Sequence, residues 1–504
     1  MEKTDKRIQL DQFIFAIPAA MYIITPLLEI IFNFFRSIMD KIEYETFKVI
    51  PYLPAVLTGI LVLSLFLFYI FSEDRNIFRV AYRRTATFQV PLVLFMLFLG
   101  LILMSLGANG FSYFALHGHS YTKMSMWTYI ANILLYLVIT SFIYDQRVKS
   151  FLVKMCCYIG AAYALYSVIA YISEPYNGSL RGTFHNSNHY GYYLAVTVSL
   201  TSAVLIDLMN KKSEEDKSGK IIDISIWGIL LIVQCVALAY NNTLGAWLAV
   251  LFVYIFLFIV SKFKEGRFDF KILIIVGVFM FISVISSLFT NSIFTSIIRT
   301  YYDVGKIVTG AENAGNAGSG RWKIWQATVR HILEYPIFGN NIEGLLFIHY
   351  LENISTGSPH NEFLEYTAFF GIPAGLSYIA ACVSVFIHGF KYRKELNSIT
   401  LICMAGAFGY LVSSFFGVCF YYTVTYPFIF LGLSLNFAKK DDPTAVKESE
   451  NEISETDEQS EPVQDQIPED LDTSEENVEV EKEDQDKDPQ EDSAEINSTS
   501  EQEQ

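Results

Sequence analysis

The sequence predicts an all-α polytopic membrane protein with about twelve transmembrane helices, one large external loop and an acidic tail. Three observations carry this. The 504 residues are 52% hydrophobic and only 17% charged, a balance that soluble domains of this size rarely show. The apolar residues come in runs of about 20, the length a helix needs to cross the hydrocarbon of a bilayer. The formal charge of −16 is the sum of two unlike materials. From 441 to 504 there are 26 acids against 3 lysines, a formal −23, whereas the remaining chain has 26 acids and 33 bases, a formal +7. A slightly basic body is what lysine and arginine anchors at a membrane surface produce.

The runs place spans near 13–35, 52–71, 88–106, 126–144, 151–172, 189–208, 224–240, 244–261, 272–290, 362–389, 398–417 and 420–437. If the N-terminus is cytoplasmic, the short inner connections hold 23 lysines and arginines, and the longer outer ones hold ten. That asymmetry predicts both termini inside. The N-terminal run is as long as a full span and no small-residue cleavage site follows, so a cleavable signal peptide is not expected. Two units follow: a transmembrane body over 1–440, and a tail over 441–504 too rich in Glu, Asp, Ser, Gln and Pro to bury a core, expected to be disordered and cytoplasmic. All six cysteines fall in apolar stretches without CxxC spacing, which predicts buried thiols and neither a metal site nor a disulfide framework.

Everything chemically unusual clusters on the predicted external side. SLRGTFHNSNHYGYYL (179–194) crowds Arg181, His185, Asn186, Asn188 and His189 at the entry to a span; a plain reading makes Asn186 or Asn188 a helix cap. The external loop 291–361 is far longer than the others, and loops of this length are usually functional. Within it, the small-residue stretch AENAGNAGSG leads into RWKIWQATVRHILEY (321–335). Helical periodicity there puts Trp322, Trp325, Val329 and Ile332 on one stripe, with Arg330 and His331 off it and Ser319 placed as N-cap. Arg321 offers a planar fork of donors matched to phosphate oxygens; a headgroup anchor is the plainer role. SPHNEFLEY (358–366) re-enters the membrane. Ser358 as cap and Pro359 at the first helical position would put His360 in the first turn, where the dipole favours a neutral, proton-accepting imidazole. Asn361 and Glu365, four apart, would share a face.

Several classes are excluded by missing signals. No P-loop lysine follows the glycine-rich stretch, and there is no GxGxxG after a strand, no HExxH, no GxSxG and no DxD pair. No cofactor, metal or nucleic acid is expected. Few ionisable residues lie within the spans, which argues against the alternative of a transporter or flippase. A non-catalytic scaffold acting through the acidic tail is the other alternative.

Four segments, in order, resemble elements of the O-antigen ligase and polymerase superfamily. They are RGTFHNSNHYGYYL; NNTLGAWLA (241–249); GRWKIWQATVRHILEYPIFGNN; and SPHNEFLEYTAFFGIPAGL. The resemblance covers about 150–440. It implies a metal-independent membrane glycosyltransferase of the GT-C type, in the cytoplasmic membrane of a bacterium. Such an enzyme moves a glycan from an undecaprenyl-diphosphate carrier, at the outer face, to a glycan or lipid-linked acceptor. Carried over by motif, His360, Arg321 and Arg181 are the expected catalytic residues. Asn186, Asn188, Asn242, Trp322, Asn361 and Glu365 are the expected substrate-binding residues. The chain departs from the pattern at Leu244, where an arginine is usual.

Overall fold

The structure is a computed structural model that describes residues 2–38, 58–60, 62–63, 89–118, 124–173, 180–184, 186–211, 217–289, 293–394, 396–421 and 423–435. Most of the span expected at 52–71, His185 and the tail 441–504 lie outside the described residues. The chain divides into two units, Met1–Asp442 and Pro443–Gln504, and all the described helices belong to the first.

The described residues form helices and turns, with no strand among them. That is the solution open to a single apolar chain in lipid, where every backbone group must find its partner inside the segment. The helices are α1 (Glu2–Ile38), α2 (Gln89–Asn109), α3 (Tyr113–His117), α4 (Met126–Phe142), α5 (Gln146–Ser173), α6 (Ser187–Asn210), α7 (Lys217–Asn241) and α8 (Leu244–Glu265). There follow α9 (Lys271–Ser286), α10 (Ile293–Thr309), α11 (Arg321–Glu334), α12 (Asn341–Leu351), α13 (Glu362–Phe370), α14 (Ile372–Lys391), α15 (Ser398–Ser414) and α16 (Thr425–Ser434).

Among the described residues, seven helices are long and apolar enough to cross a membrane: Gln12–Ile31 within α1, Val90–Asn109 within α2, and the whole of α5, α6, α7, α8 and α14. The polytopic helical body stands, but the count of twelve does not follow from it. The spans expected at 126–144, 272–290, 398–417 and 420–437 are helices of 17, 16, 17 and 10 residues, short of a full crossing. The span expected at 362–389 is two helices, because Gly371 breaks the run.

α6 is the central helix, buried along almost its whole length and packed by α7, α8 and α15. Polar groups inside this bundle are paired across helices. Gln234 donates to the Cys157 carbonyl at 3.1 Å and accepts from Thr201 at 3.2 Å, and Trp247 Nε1 donates to Ser283 Oγ at 3.0 Å. Such bonds hold helices in register where lipid supplies no hydrophobic drive. All six cysteines are buried and unpaired.

The long segment after α9, expected as an external loop, is structured rather than a plain loop. It holds α10, α11 and α12, and it is seated on the body through the turn 335–340. Ile372 N–H donates to the Pro336 carbonyl at 2.8 Å and Asn340 N–H to the Ala368 carbonyl at 3.2 Å. From the other side Ser105 Oγ donates to the Phe338 carbonyl at 2.5 Å, and Asn109 Nδ2 reaches the same oxygen at 3.2 Å. The PIFGN stretch is therefore a structural seat, clamped between α2 and the α13–α14 break. Gly371, at φ +90°, sits so close that an added Cβ would lie 2.0 Å from the Ile337 carbonyl oxygen.

Gly371→Ala therefore forces two backbones apart in addition to the strained φ. The expected loss exceeds the roughly 1 kcal/mol of the conformational effect alone. Gly228, with nothing within 4 Å of an added Cβ, is the control. Thermal unfolding of the detergent-purified variants should show a marked drop for Gly371→Ala and little change for Gly228→Ala; equal behaviour would remove the seat from the account.

Candidate functional cavity and its polar lining

A cavity of about 620 Å³ opens where α6, α8, α10 and α11 meet the segment before α13. Five expected site residues line it: Asn188, Asn242, Arg321, Trp322 and His360. Leu244 lines it too. Four separate stretches of sequence thus converge on one space.

The other expected residues lie elsewhere. Asn186 caps α6, its side chain accepting the Asn188 N–H at 2.8 Å. Arg181 is exposed on a segment outside the cavity lining. That segment is tied by Thr183 N–H to the Tyr163 hydroxyl at 2.7 Å, and by the Leu180 carbonyl, which accepts from Asn241 at 2.6 Å. Asn361 is 3% exposed and caps α13, accepting the Leu364 N–H at 3.0 Å. Glu365 is 1% exposed and accepts from Ser358 Oγ at 2.6 Å. It pins the loop below the cavity rather than facing it.

Local geometry differs from expectation in three places. First, the helix after the long segment begins at Glu362, not at Pro359, because Asn361 takes the capping role. His360 precedes the cap in the left-handed region, φ +52°, with its N–H donated to Ser358 Oγ at 3.2 Å. Such a backbone costs roughly 1–3 kcal/mol and persists where surrounding bonds over-determine it. Second, Ser319 does not cap α11. It is left-handed (φ +59°), and the cap position is Gly320, without a side-chain bond. Third, the buried face of α11 is Ile324, Ala327, Thr328, His331 and Ile332, so His331 is interior and Val329 is exposed. The stripe is rotated because the two tryptophans face the cavity instead, and Trp325 Nε1 donates to the Pro359 carbonyl at 2.9 Å.

That bond links the arginine helix to the histidine loop. Arg321 itself is oriented by Gly318: its Nη1 donates to the Gly318 carbonyl at 3.2 Å, while the Gly318 N–H is held by Asp303 Oδ2 at 3.0 Å. The Asp303 carboxyl lies below its usual range because Lys306, at 2.9 Å, and the Gly318 N–H both bond its charged form. Arg321 Nε, Asn242 Oδ1 and His360 Nδ1 are buried without a hydrogen-bond partner. Buried polar atoms call for a partner, and the residues that carry these three line the same cavity.

His360 is held down to about pKa 4, by burial first, then by repulsion from Arg321, then from His349. The neutral imidazole expected at this position is present, but burial and Arg321 account for it. His360 Nε2 lies 3.4 Å from Thr356 Oγ1, whose own proton can go to the Ser358 carbonyl at 3.2 Å; that arrangement makes Nε2 the donor and leaves Nδ1 with a free lone pair.

Sequence reading missed two groups. Ser296, Arg299, Thr300, Asp303 and Ile307 line the cavity from α10. Their spacing is that of one helical face, a signal present in the sequence but unused in a stretch read as loop. His349 is the other. It is 1% exposed on α12, and its Nδ1 lies 2.6 Å from the Thr356 carbonyl, which places the proton on Nδ1. Burial lowers its pKa. It holds the loop that carries His360. Among the described residues no three His, Cys, Asp or Glu side chains come together as a metal set.

The fold and cavity define a helical membrane protein with a polar, partly cationic site on an apolar body. Residues 229–379, from within α7 into α14, match the family model described as O-antigen ligase, so this stretch of the chain is O-antigen ligase-like. The match contains every cavity-lining residue except Ser187, Asn188 and Phe416. Comparison with curated proteins gave no match.

His349 acts through the Thr356 carbonyl, so His349→Ala should lower kcat about tenfold or more while leaving the KM for donor nearly unchanged. His349→Asn, whose amide can place an N–H near the same point, should restore part of the loss. A proportionate change in both parameters, or no rescue by asparagine, would make His349 a packing residue only.

Proposed function

We propose that the chain transfers or polymerises a glycan from an undecaprenyl-diphosphate carrier at the outer face of the bacterial cytoplasmic membrane, in the making of a cell-surface polysaccharide. The observation that carries this reading is the convergence of Arg321, His360, Asn188, Asn242 and Trp322 on one cavity beside the O-antigen ligase-like stretch.

The chemistry fits the groups available. The acceptor hydroxyl attacks the anomeric carbon of the donor sugar. The bond from that carbon to the diphosphate oxygen breaks, and the carrier diphosphate leaves with the electron pair. The hydroxyl proton passes to His360 Nδ1. Arg321 stabilises the charge that grows on the departing diphosphate, through a guanidinium already positioned by Gly318. Trp322 and the aliphatic wall at Leu244 and Leu248 suit the first isoprene units, and the Asn188 and Asn242 amides suit sugar hydroxyls. The acceptor is a glycan or lipid-linked glycan, and no nucleotide enters the reaction. In this reading the external segment is extracytoplasmic, and both termini are inside.

The site's electrostatics set the pH behaviour. With its pKa near 4, free His360 is neutral, and able to accept a proton, at all pH values well above 4. Protonation on acidification removes the base. The acid limb of kcat/KM, which reports the free enzyme, should therefore lie near pH 4 rather than near the ordinary imidazole value. Arg321→Gln removes a repelling charge and should move that limb upward, besides lowering the rate.

His360→Ala and His360→Gln should both lose roughly 10²–10⁴-fold in transfer rate, with carrier-linked donor accumulating. Arg321→Lys keeps the charge but not the fork and should be clearly impaired, Arg321→Ala more so. Near-normal turnover by His360→Gln would remove the base assignment. For orientation, Ala314→Cys should react with an impermeant thiol reagent from outside and Ser493→Cys only after permeabilisation. Labelling of both from the same side would overturn the topology.

A further inference from the structure

A diphosphate ester carries about two negative charges, and the proposed reaction assigns only Arg321 to them. Within the cavity lining there are two permanent cations, Arg321 and Arg299. Arg299 is on α10, a helix separate from that of Arg321. The side chain is exposed, and no carboxylate lies within ion-pair distance of it among the described residues. Its nearest acid in sequence on the same face, Asp303, is already engaged by Lys306 and by the Gly318 N–H. The Arg299 guanidinium is therefore left to an outside anion.

The position of Arg299 adds to this. It lines the main cavity and also a second recess of about 550 Å³ that shares Arg299, Asp303 and Ser319 with it. The main cavity has the apolar wall of Leu244, Leu248, Val304 and Ile307. The recess mixes Ile298 with Thr295, Tyr302, Lys306 and Asn316. Arg299 stands at the join between the two spaces. Across the cavity, position 244 at the start of α8 carries no charge, since Leu244 occupies it.

We propose that Arg299 is the second diphosphate-binding cation of this site, contributed by α10, and that it supplies the charge that position 244 does not. This assignment rests on the reading of the cavity as the donor site. Arg299 binds the diphosphate as a planar two-donor fork. Asp303, one turn on, attracts Arg299 at longer range but makes its contact ion pair with Lys306. Ser296, one turn before Arg299 on the same helix, lines the cavity and adds a hydroxyl donor to the phosphate oxygens, while the Thr300 hydroxyl is spent on the Ser296 carbonyl at 2.8 Å.

The test is direct binding of farnesyl diphosphate to the full-length protein in detergent, by isothermal titration, so that no transfer need occur. Arg299→Ala should weaken binding about tenfold, equivalent to about 1.4 kcal/mol, and Arg299→Lys less. In Arg299→Ala, the second change Leu244→Arg should recover much of the loss, because the cation returns to the cavity from another wall. Lys323→Ala removes a positive charge from the same segment but outside the cavity lining, where Lys323 Nζ donates to the Glu352 carbonyl at 2.7 Å. It should leave binding unchanged. Matching unfolding temperatures for wild type and Arg299→Ala exclude misfolding as the cause. If wild type binds and Arg299→Ala binds equally well, the proposal falls alone. If Lys323→Ala weakens binding as much as Arg299→Ala, the effect is general charge and the proposal also falls. If wild type binds no diphosphate while remaining folded, the donor-site reading falls and takes Arg299 with it.

Discussion

The geometry of the candidate site depends on one contact between two stretches of backbone. At Gly371 the chain has no side chain, and Ile337 and Phe338 occupy the place where a Cβ would be. The hydrogen bonds on either side, Ile372 to Pro336 and Asn340 to Ala368, close the seam. At the margin of an apolar body, unpaired peptide groups are expensive. The two strands of irregular chain satisfy each other instead. The end of α11 and the start of α14 are thereby set relative to one another, and with them the helix that begins at Arg321 and the loop that carries His360.

A second level of order concerns charge. Arg321 and His360 lie close enough for the guanidinium to oppose protonation of the imidazole. Each is held through a neighbouring loop: Arg321 by the Gly318 peptide and, beyond it, Asp303; His360 by the Thr356 hydroxyl, with the carbonyl of that residue held in turn by His349. Trp325 then joins the two halves by its bond to the Pro359 carbonyl. In the proposed reaction an entering diphosphate cancels the field of Arg321 at the imidazole. The histidine becomes more basic when the donor is in place, and it does not take up a proton from solvent beforehand.

Much of this was legible in the sequence, and the failures have physical reasons. The helical membrane body follows from apolar runs, whose burial in lipid or protein is a local property. The number of crossings does not: α13 and α14 look continuous until the close approach at Gly371 is known, and that approach is made by residues 337 and 338, more than thirty positions away. Asn188, Asn242, Arg321, Trp322 and His360 could be selected because polar and aromatic residues at span ends are unusual. Glu365, Asn361 and Asn186 look equally unusual in sequence, yet they serve caps and a buried serine contact. Sequence spacing cannot tell a side chain turned to a cavity from one turned to its own backbone. Arg299 and Asp303 went unseen because α10 was taken as connector, although its polar face has clear helical spacing.

The stretch from Ala311 to Gly320 is built from small residues and glycines, which in isolation sample a wide range of backbone states. In the folded protein Asp303 holds the Gly318 N–H, the short 3₁₀ turn Ala314–Asn316 orders the middle, and the last three residues before Arg321 are all left-handed. The conformational entropy of this flexible sequence is therefore surrendered when the chain folds rather than when a ligand arrives. Association with an anion then needs no loop ordering of its own, and preorganisation of that kind strengthens binding without adding a contact.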